Sequence, residues 1–376
     1  MPAVWQMPFR PFFLCATAFG LLAIPLWLSS LLLGMPIGGV SLQWHVHEML
    51  MGFAATVVLG FVLTAIQTWT GIKTVQGSTL MLMVLVWVCA RLGWLAPAPW
   101  QWLGALADVV LFTCAAAVVG RMVYLSRNWR NAFFVPVFLL FALFSASYAY
   151  ALANKQFAMA QELQYFVFYL IVHVVLVVGG RVVPFFADRR LQRDPTRRFL
   201  LLESLALVSS LVFLVVISVG ANRQLLQLTA VVVATANLLR WLTWKPWQTL
   251  KIPLLWSLYL AYAFIISGFV ATAVQLPSSI ATHLIAIGGI SLMILAMISR
   301  VSLGHSGRPL ELPGKFPLAY VALAAAACCR ILANLLPEYY AAMLWLSAAG
   351  WITGFGLFLY HYLPILLSPR PDGQPG

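Results

Sequence analysis

Long apolar runs separated by short polar connections form the main pattern along the chain. A helix needs about 20 apolar residues to cross the hydrocarbon core of a bilayer. Twelve runs reach this length, and their connections are too short for a separate soluble domain. The pattern predicts an all-α integral membrane protein, a single polytopic membrane domain over residues 1–376. The predicted spans are residues 11–33, 44–67, 78–95, 100–120, 131–150, 160–186, 199–219, 223–242, 252–274, 279–301, 316–336 and 339–366.

The composition excludes the soluble globular classes. Hydrophobic residues make up 63% of the chain and charged residues 8%, and the mean hydropathy is +0.95. Charged residues normally supply about a quarter of a soluble domain. The net charge of +13 does not predict nucleic acid as a partner, because the basic residues fall in short connections between apolar runs. The N-terminus lacks the features of a signal peptide, so we expect the first run to be retained as a span.

The positive charges divide unevenly between the two sets of connections. Of the 22 Lys and Arg residues, Arg91, Arg181 and Arg330 lie inside apolar runs. One set of connections holds only Lys155 and Arg223, and the other set, with both termini, holds the remaining 17. Because cytoplasmic connections carry the excess of Lys and Arg, we predict that both termini are cytoplasmic. A miscounted helix would mix the two sets, so the division also supports twelve spans.

The second apolar run begins with Trp44-His45-Val46-His47-Glu48-Met49, which holds two of the 6 histidines. Ionisable residues inside a membrane are costly and usually face an interior site. Histidine is also the commonest metal ligand among side chains. Residues i and i+2 of an α-helix differ by about 200°, so the rings of His45 and His47 should face nearly opposite ways. If both bind metal, they serve two different sites.

The predicted topology gives each histidine a depth in the membrane. His45, His47 and His283 lie near the outer ends of helices 2 and 10, and His173 lies toward the middle of helix 6. The three helices are four apart in the chain, which suggests three four-helix units around a centre. No strong sequence repeat supports these units.

Two histidines at matched depth on different helices are what a haem needs for axial ligation. We predict that His283 and one histidine of helix 2 bind a haem, and we favour His47 because it lies deeper. The other helix-2 histidine, with His173, would serve a second haem or a copper ion. The alternative for each histidine is a hydrogen bond to a neighbouring helix, or, for His45, a place in the interfacial aromatic belt.

Other residues of the spans could complete a haem site. Gly52 and Gly288 each lie five residues after one of the predicted axial histidines. A glycine there would let a flat macrocycle approach the helix. Arg91 and Arg330 are intramembrane arginines near the predicted outer ends of their helices. Arginine binds carboxylates through two parallel hydrogen bonds, which would suit the haem propionates.

Three residues each leave two interpretations open. Glu48 either orients a histidine ring as a hydrogen-bond acceptor or caps the first turn of helix 2. Tyr169, one turn before His173, either shares the face of that histidine or packs in the core. Asp108 either pairs with Arg91 or relays protons.

The predicted inner face carries a second group of candidates. The loop from Arg300 to Arg308 places His305 between two glycines, a composition that suits anion binding through backbone N–H groups and arginine. Alternatively, His305 binds a metal together with His361 of helix 12, or the loop is only a basic cytoplasmic turn. Glu203, near a helix end, is expected to be solvated.

Several segments that span most of the chain carry a family resemblance, namely Pro8–Phe13, Trp44–Met49 with Gly52 and Phe53, Gly60–Gly71, Arg181–Phe186 and Ile298–Pro309. Together they resemble the NnrS family of bacterial inner-membrane proteins. The family is described as twelve-helix membrane proteins that contain haem and copper and are associated with denitrification and resistance to nitric oxide. The resemblance therefore implies haem, expected to be of the b type, and copper. It leaves open whether the protein turns over nitric oxide, senses it or protects other metal centres from it.

A looser similarity links the chain to the catalytic subunits of haem–copper oxidases and nitric oxide reductases. Those proteins also have twelve core helices, with metal-binding histidines on helices 2, 6 and 10. They carry a further histidine pair on helix 7 for copper, whereas residues 199–219 here contain no histidine. A copper site with three histidine ligands therefore cannot form in the way it does in those proteins. The similarity is one of fold, and similarity of fold says little about chemistry.

The leading functional hypothesis is a haem-binding protein of the bacterial inner membrane that acts in nitric oxide metabolism or in resistance to nitrosative stress. Its expected partners are nitric oxide or a related small ligand, the lipid bilayer, and an electron donor that the sequence does not identify. Two alternatives remain, namely a twelve-helix transporter of an anion or metal and a non-catalytic nitric oxide sensor. The motifs of common soluble enzymes are absent from the sequence.

Overall fold

The fold is built from helices that are long enough to cross a membrane. The computed structural model describes residues 1–97 and 99–374. The fold is 81% helix, with no strand among the described residues, and twelve of its helices are long and apolar enough to span a bilayer. The chain is therefore a multi-pass membrane protein, and the predicted number of spans is confirmed. The helices are α1 (Phe9–Leu33), α2 (Leu42–Thr70), α3 (Gly77–Leu95), α4 (Gln101–Ser126), α5 (Trp129–Ala153), α6 (Phe157–Leu191), α7 (Leu200–Ser218), α8 (Arg223–Thr243), α9 (Pro253–Ala273), α10 (Ser278–His305), α11 (Pro317–Leu335) and α12 (Pro337–Leu367).

Helices α2 and α10 share an unusual local construction. Each contains an eight-residue π-helical segment, Glu48–Ala55 in α2 and Leu284–Ser291 in α10. Each segment follows directly after a histidine, His47 in the first case and His283 in the second. Since π-helical turns are rare and occur frequently at functional sites, this construction marks both helices as candidates for function.

A hydroxyl group stabilises each π-helical segment near its end. Thr56 donates a hydrogen bond of 2.9 Å to the carbonyl of Met51, and Ser291 donates one of 2.7 Å to that of Ala286. Each bond reaches five residues back, which is the spacing of a π turn. The two hydroxyls therefore favour the wider turn over a regular α-helical one.

The contacts between residues group the chain into two compact units. The first contains Met1–Val167, Ile298–Glu311 and the chain from Phe358 onward. The second contains Phe168–Met297 and Leu312–Leu357. This grouping does not correspond to three four-helix units, which are therefore not confirmed. The cytoplasmic location of both termini stays a prediction.

Arg10 fixes the start of α1 inside the first unit. Its side chain is fully buried, and Nη1 donates to the carbonyls of Leu366 and Ser368 over 2.7 and 2.8 Å. These carbonyls belong to the C-terminal end of α12, where backbone oxygens lack partners within the helix. The arginine at the start of one span thus caps the end of another.

Candidate functional site

His47 lies in a hydrogen-bonded network inside the first unit. Its ring is fully buried, with Nδ1 2.9 Å from Glu48 Oε1 and Nε2 3.2 Å from Ser145 Oγ. The same Nε2 lies 3.8 Å from Asp108 Oδ2, which accepts a hydrogen bond from the Ser145 hydroxyl. Both ring nitrogens of His47 therefore contact side-chain oxygens of the chain itself.

Arg91 joins the two carboxylates of this network. Its Nη1 donates to Glu48 Oε1 over 2.6 Å, and its Nη2 donates to Asp108 Oδ1. Charged groups inside a membrane protein are usually paired with one another in this way. The structure favours the ion pair for Asp108, which binds Arg91. It favours the orienting role for Glu48, because the hydroxyl of Ser41, and not Glu48, caps the first turn of α2. It does not support Arg91 as a partner of haem propionates.

Aromatic rings enclose His47. Its ring centroid lies 3.8 Å from that of Trp94, 5.7 Å from that of Phe144 and 5.5 Å from that of Tyr148. A metal could reach Nε2 only if the Ser145 hydroxyl moved away. This arrangement does not support His47 as the haem ligand that the sequence favours.

His45 points to a different part of the first unit. Its ring stacks on Trp27 of α1, with centroids 5.1 Å apart and planes 11° from parallel. His47 instead contacts residues of α3, α4 and α5. The two rings thus contact different helices, which agrees with the expectation that they face nearly opposite ways, while the role of either ring as a ligand stays a prediction.

His283 of the second unit has one engaged ring nitrogen. Its Nδ1 lies 2.7 Å from the carbonyl oxygen of Ser279, one turn earlier in α10. Its Nε2 forms no hydrogen bond with any residue that the structure describes. Metal-binding histidines almost always donate one ring N–H to a carbonyl or carboxylate while the other nitrogen binds the metal. The ring of His283 has this arrangement.

Arg330 lies beside His283 through a shared serine. Its Nη2 donates to Ser279 Oγ over 3.0 Å. Its Nη1 is buried and has no hydrogen-bond partner in the described part of the chain. A buried guanidinium with an unused donor is a binding point for a carboxylate. The pairing of Arg330 with a propionate stays a prediction.

His173 shows the same use of Nδ1. This nitrogen lies 2.8 Å from the hydroxyl of Ser210 in α7. Tyr169, one turn earlier, is buried with its ring against Phe213 and Phe269, at centroid distances of 4.8 and 6.0 Å. These contacts favour the packing role for Tyr169. The role of His173 as a ligand of copper or of a second haem stays a prediction.

The comparison with protein families decides what this membrane protein is. The family model described as NnrS protein matches residues 3–370. The chain belongs to the NnrS family. A search of curated proteins finds no match. The resemblance that the sequence motifs indicate is thus confirmed over nearly the whole chain.

The glycines of this NnrS-family protein do not leave a flat surface on α2 and α10. A Cβ atom on Gly52 would lie 2.6 Å from Phe19 Cε1 and 2.8 Å from Arg91 Nη1. One on Gly288 would lie 2.4 Å from Cγ of Phe264 in α9. The expectation that these glycines make room for a macrocycle is wrong, because side chains of neighbouring helices fill the space.

The inner-face candidates of this NnrS-family protein have contacts of their own. The ring of His305 lies 5.7 Å from that of Phe9, and its carbonyl accepts a hydrogen bond from Arg370. Outside the spans, hydrogen bonds from Arg370 lower the pKa of Asp372 to about 2. Within the described residues, no group of three or more His, Cys, Asp or Glu residues is placed to hold a metal ion. A metal between His305 and His361 stays a prediction.

The arginines of the predicted loop are held close to the protein. Arg300 is 8% exposed, and Arg308 donates from Nη1 to the carbonyl of Ser306 over 3.3 Å. Anion binding by this loop stays a prediction. The expectation that Glu203 is simply solvated is wrong, because it accepts a hydrogen bond of 2.5 Å from Arg240.

Sequence reasoning missed the neutral members of both histidine sites. Ser145 and Trp94 bind the charged network, and Ser279 links His283 to Arg330. Serine and tryptophan are unremarkable in an apolar span, so neither type signals a site by itself. One feature of the sequence could have indicated these partners. A carboxylate such as that of Asp108 is costly to bury, so hydrogen-bond donors from neighbouring helices must bind it.

Proposed function

We propose that this NnrS-family protein binds haem in the membrane and acts in nitric oxide metabolism or in protection from nitrosative stress. The observation that carries the proposal is the state of His283, whose Nδ1 is anchored and whose Nε2 has no hydrogen bond among the described residues. The family membership supports the link to nitric oxide and the location in the bacterial inner membrane.

The residues around His283 fit the two requirements of a haem. An axial ligand needs a neutral imidazole with a fixed ring orientation. The contact between Nδ1 and the Ser279 carbonyl fixes the orientation of the His283 ring. The propionates need a cation, and the buried Nη1 of Arg330 has no partner in the described chain. Ser279 contacts both side chains, so α10 and α11 hold the two groups together.

The assignment of the second axial ligand to a histidine of α2 stays a prediction of the sequence. The sequence favours His47 by depth, while the enclosure of its ring and its Ser145 contact favour His45. The expectation that the other α2 histidine and His173 serve a copper ion or a second haem likewise stays a prediction of the sequence. A haem supplies an iron that binds small ligands such as nitric oxide. The chain supplies imidazole ligands, orients them and neutralises carboxylates.

Haem content is the first test of this proposal. The protein would be purified from haem-replete cells, and the haem bound per chain would be measured for the wild type, His283→Ala and Arg330→Met. We expect a Soret band in the wild type, loss of most haem in His283→Ala, and partial loss in Arg330→Met. Arg223→Met, which changes an exposed arginine at the start of α8, is the control. A wild-type protein without a Soret band would contradict the proposal.

The structure weakens the case for a transporter. That hypothesis rests on intramembrane charges that could carry a substrate, chiefly Asp108, Arg91 and Arg330. Arg91 binds both Asp108 and Glu48, so two of these three charges are engaged within the protein. Turnover of nitric oxide by the purified protein with a reduced donor would separate an enzyme from a sensor.

A further inference from the structure

A small cavity opens at one end of the first unit, above the His47 network. It measures about 190 Å³, and Gln43, Trp44, Trp94 and Gln101 contribute to its wall. It lies where α2 and α4 begin and α3 ends, the side that the charge distribution predicts to face outward. Ligand pockets for larger molecules measure about 300–1,000 Å³, so this cavity has room for a single ring.

Trp44, one of the residues that line this cavity, carries a buried indole N–H. Trp44 is 2% exposed, and its Nε1 has no hydrogen-bond acceptor in the described part of the chain. Buried tryptophan N–H groups normally find an acceptor. Gln43 and Gln101, which also line the cavity, carry side-chain amides that can donate hydrogen bonds. The cavity therefore suits a ligand that carries hydrogen-bond acceptors.

The chemistry of the wall narrows the ligand class further. Three of the lining residues, Trp44, Trp94 and Phe157, are aromatic, and a flat ring can stack on an aromatic side chain. None of the described residues that line the cavity is charged, so they provide no counter-ion for an ionic ligand. The ligand indicated by these features is an uncharged planar ring with carbonyl oxygens.

We propose that this cavity binds the head group of a membrane quinone. A quinone is uncharged and planar, carries two carbonyl acceptors, and is delivered by its lipid tail to the ends of transmembrane helices. Trp94 lines the cavity, and its ring centroid lies 3.8 Å from that of His47. The indole of Trp94 therefore lies between the proposed quinone ring and the His47 network. The proposal rests on the cavity and not on the binding of haem.

Isothermal titration of the full-length protein in detergent tests the proposal directly. The probe is a ubiquinone with one isoprenoid unit. Trp44→Phe keeps an aromatic ring and removes the N–H, and Gln101→Leu removes the amide at similar size. Each should raise the dissociation constant about tenfold, as expected for loss of one buried hydrogen bond. Trp102→Phe, which changes an indole that is 52% exposed on α4, should bind like the wild type.

Two results would overturn the proposal. One is a wild-type protein that does not bind the probe, and the other is equal affinity in the wild type, Trp44→Phe and Gln101→Leu. Elution as a single species in size-exclusion chromatography shows that each variant is folded, and Gln101→Leu keeps the test valid if Trp44→Phe fails to fold. His283→Ala protein without haem should still bind the probe, which separates this proposal from the proposed haem site.

Discussion

At the scale of the residue, the contacts of both ring nitrogens determine whether a buried histidine can bind a metal. His283 and His47 each have an oxygen at Nδ1, from a backbone carbonyl in the first case and from Glu48 in the second. They differ at Nε2, where His47 meets Ser145 and His283 meets no described hydrogen-bond partner. Burial alone does not separate a metal ligand from a member of a polar network, whereas these contacts do.

The charged network around His47 depends on Arg91. Arg91→Leu would leave Glu48 and Asp108 as two buried carboxylates without a counter-charge. Removal of one partner from a buried ion pair costs about 3–5 kcal/mol. We expect a large fall in the thermal unfolding temperature of the purified protein in detergent. Arg223→Leu, at an exposed arginine, should stay near the wild type, and equal stability of the two variants would contradict the network.

At the scale of the element, a glycine on one helix leaves room for an arginine side chain that reaches it from a neighbouring helix. Arg240 of α8 is 1% exposed and donates from Nη1 to the carbonyl of Leu176 in α6 over 3.0 Å. A Cβ atom on Gly180 of α6 would lie 1.8 Å from Nη2 of this arginine. The neighbouring Gly179 has ordinary space, with its nearest contact, Tyr262, at 3.9 Å.

These two adjacent glycines make a matched test of helix packing. Gly180→Ala should lower the free energy of unfolding by about 1–3 kcal/mol or more, because it forces the Arg240 guanidinium aside. Gly179→Ala should be neutral or stabilising by up to about 1 kcal/mol, since alanine favours a helix more than glycine. Thermal unfolding in detergent measures both. A larger loss in Gly179→Ala than in Gly180→Ala would show that the packing of α6 on α8 is different.

At the scale of the whole molecule, the spans were predictable and the sites were predictable only in part. Apolar length alone determines a span, so all twelve helices follow from composition. The divergence of His45 and His47 follows from helix geometry. The π-helical turns and the partner of His47 on α5 depend on contacts between residues far apart in the chain, such as Ser145, 98 positions away. No local pattern carries that information.

The orientation of the molecule in the membrane is a prediction of the charge distribution. In a variant with its native cysteines replaced by serine, Lys155→Cys should react with a membrane-impermeant thiol reagent on intact cells. Arg197→Cys should react only after lysis. Both positions are exposed, so the reagent reaches each from its own side. The reverse pattern would place the termini outside and would invert the depth of every histidine.

The claim that His283 ligates a haem iron is tested most directly by low-temperature EPR and optical spectra. The wild type would be compared with His283→Ala, His45→Ala and His47→Ala, all expressed with haem. We predict a low-spin haem signal in the wild type that is lost in His283→Ala and in one of the two α2 variants. The other α2 variant should keep it. An unchanged haem spectrum in His283→Ala would contradict the claim and place the haem elsewhere in the protein.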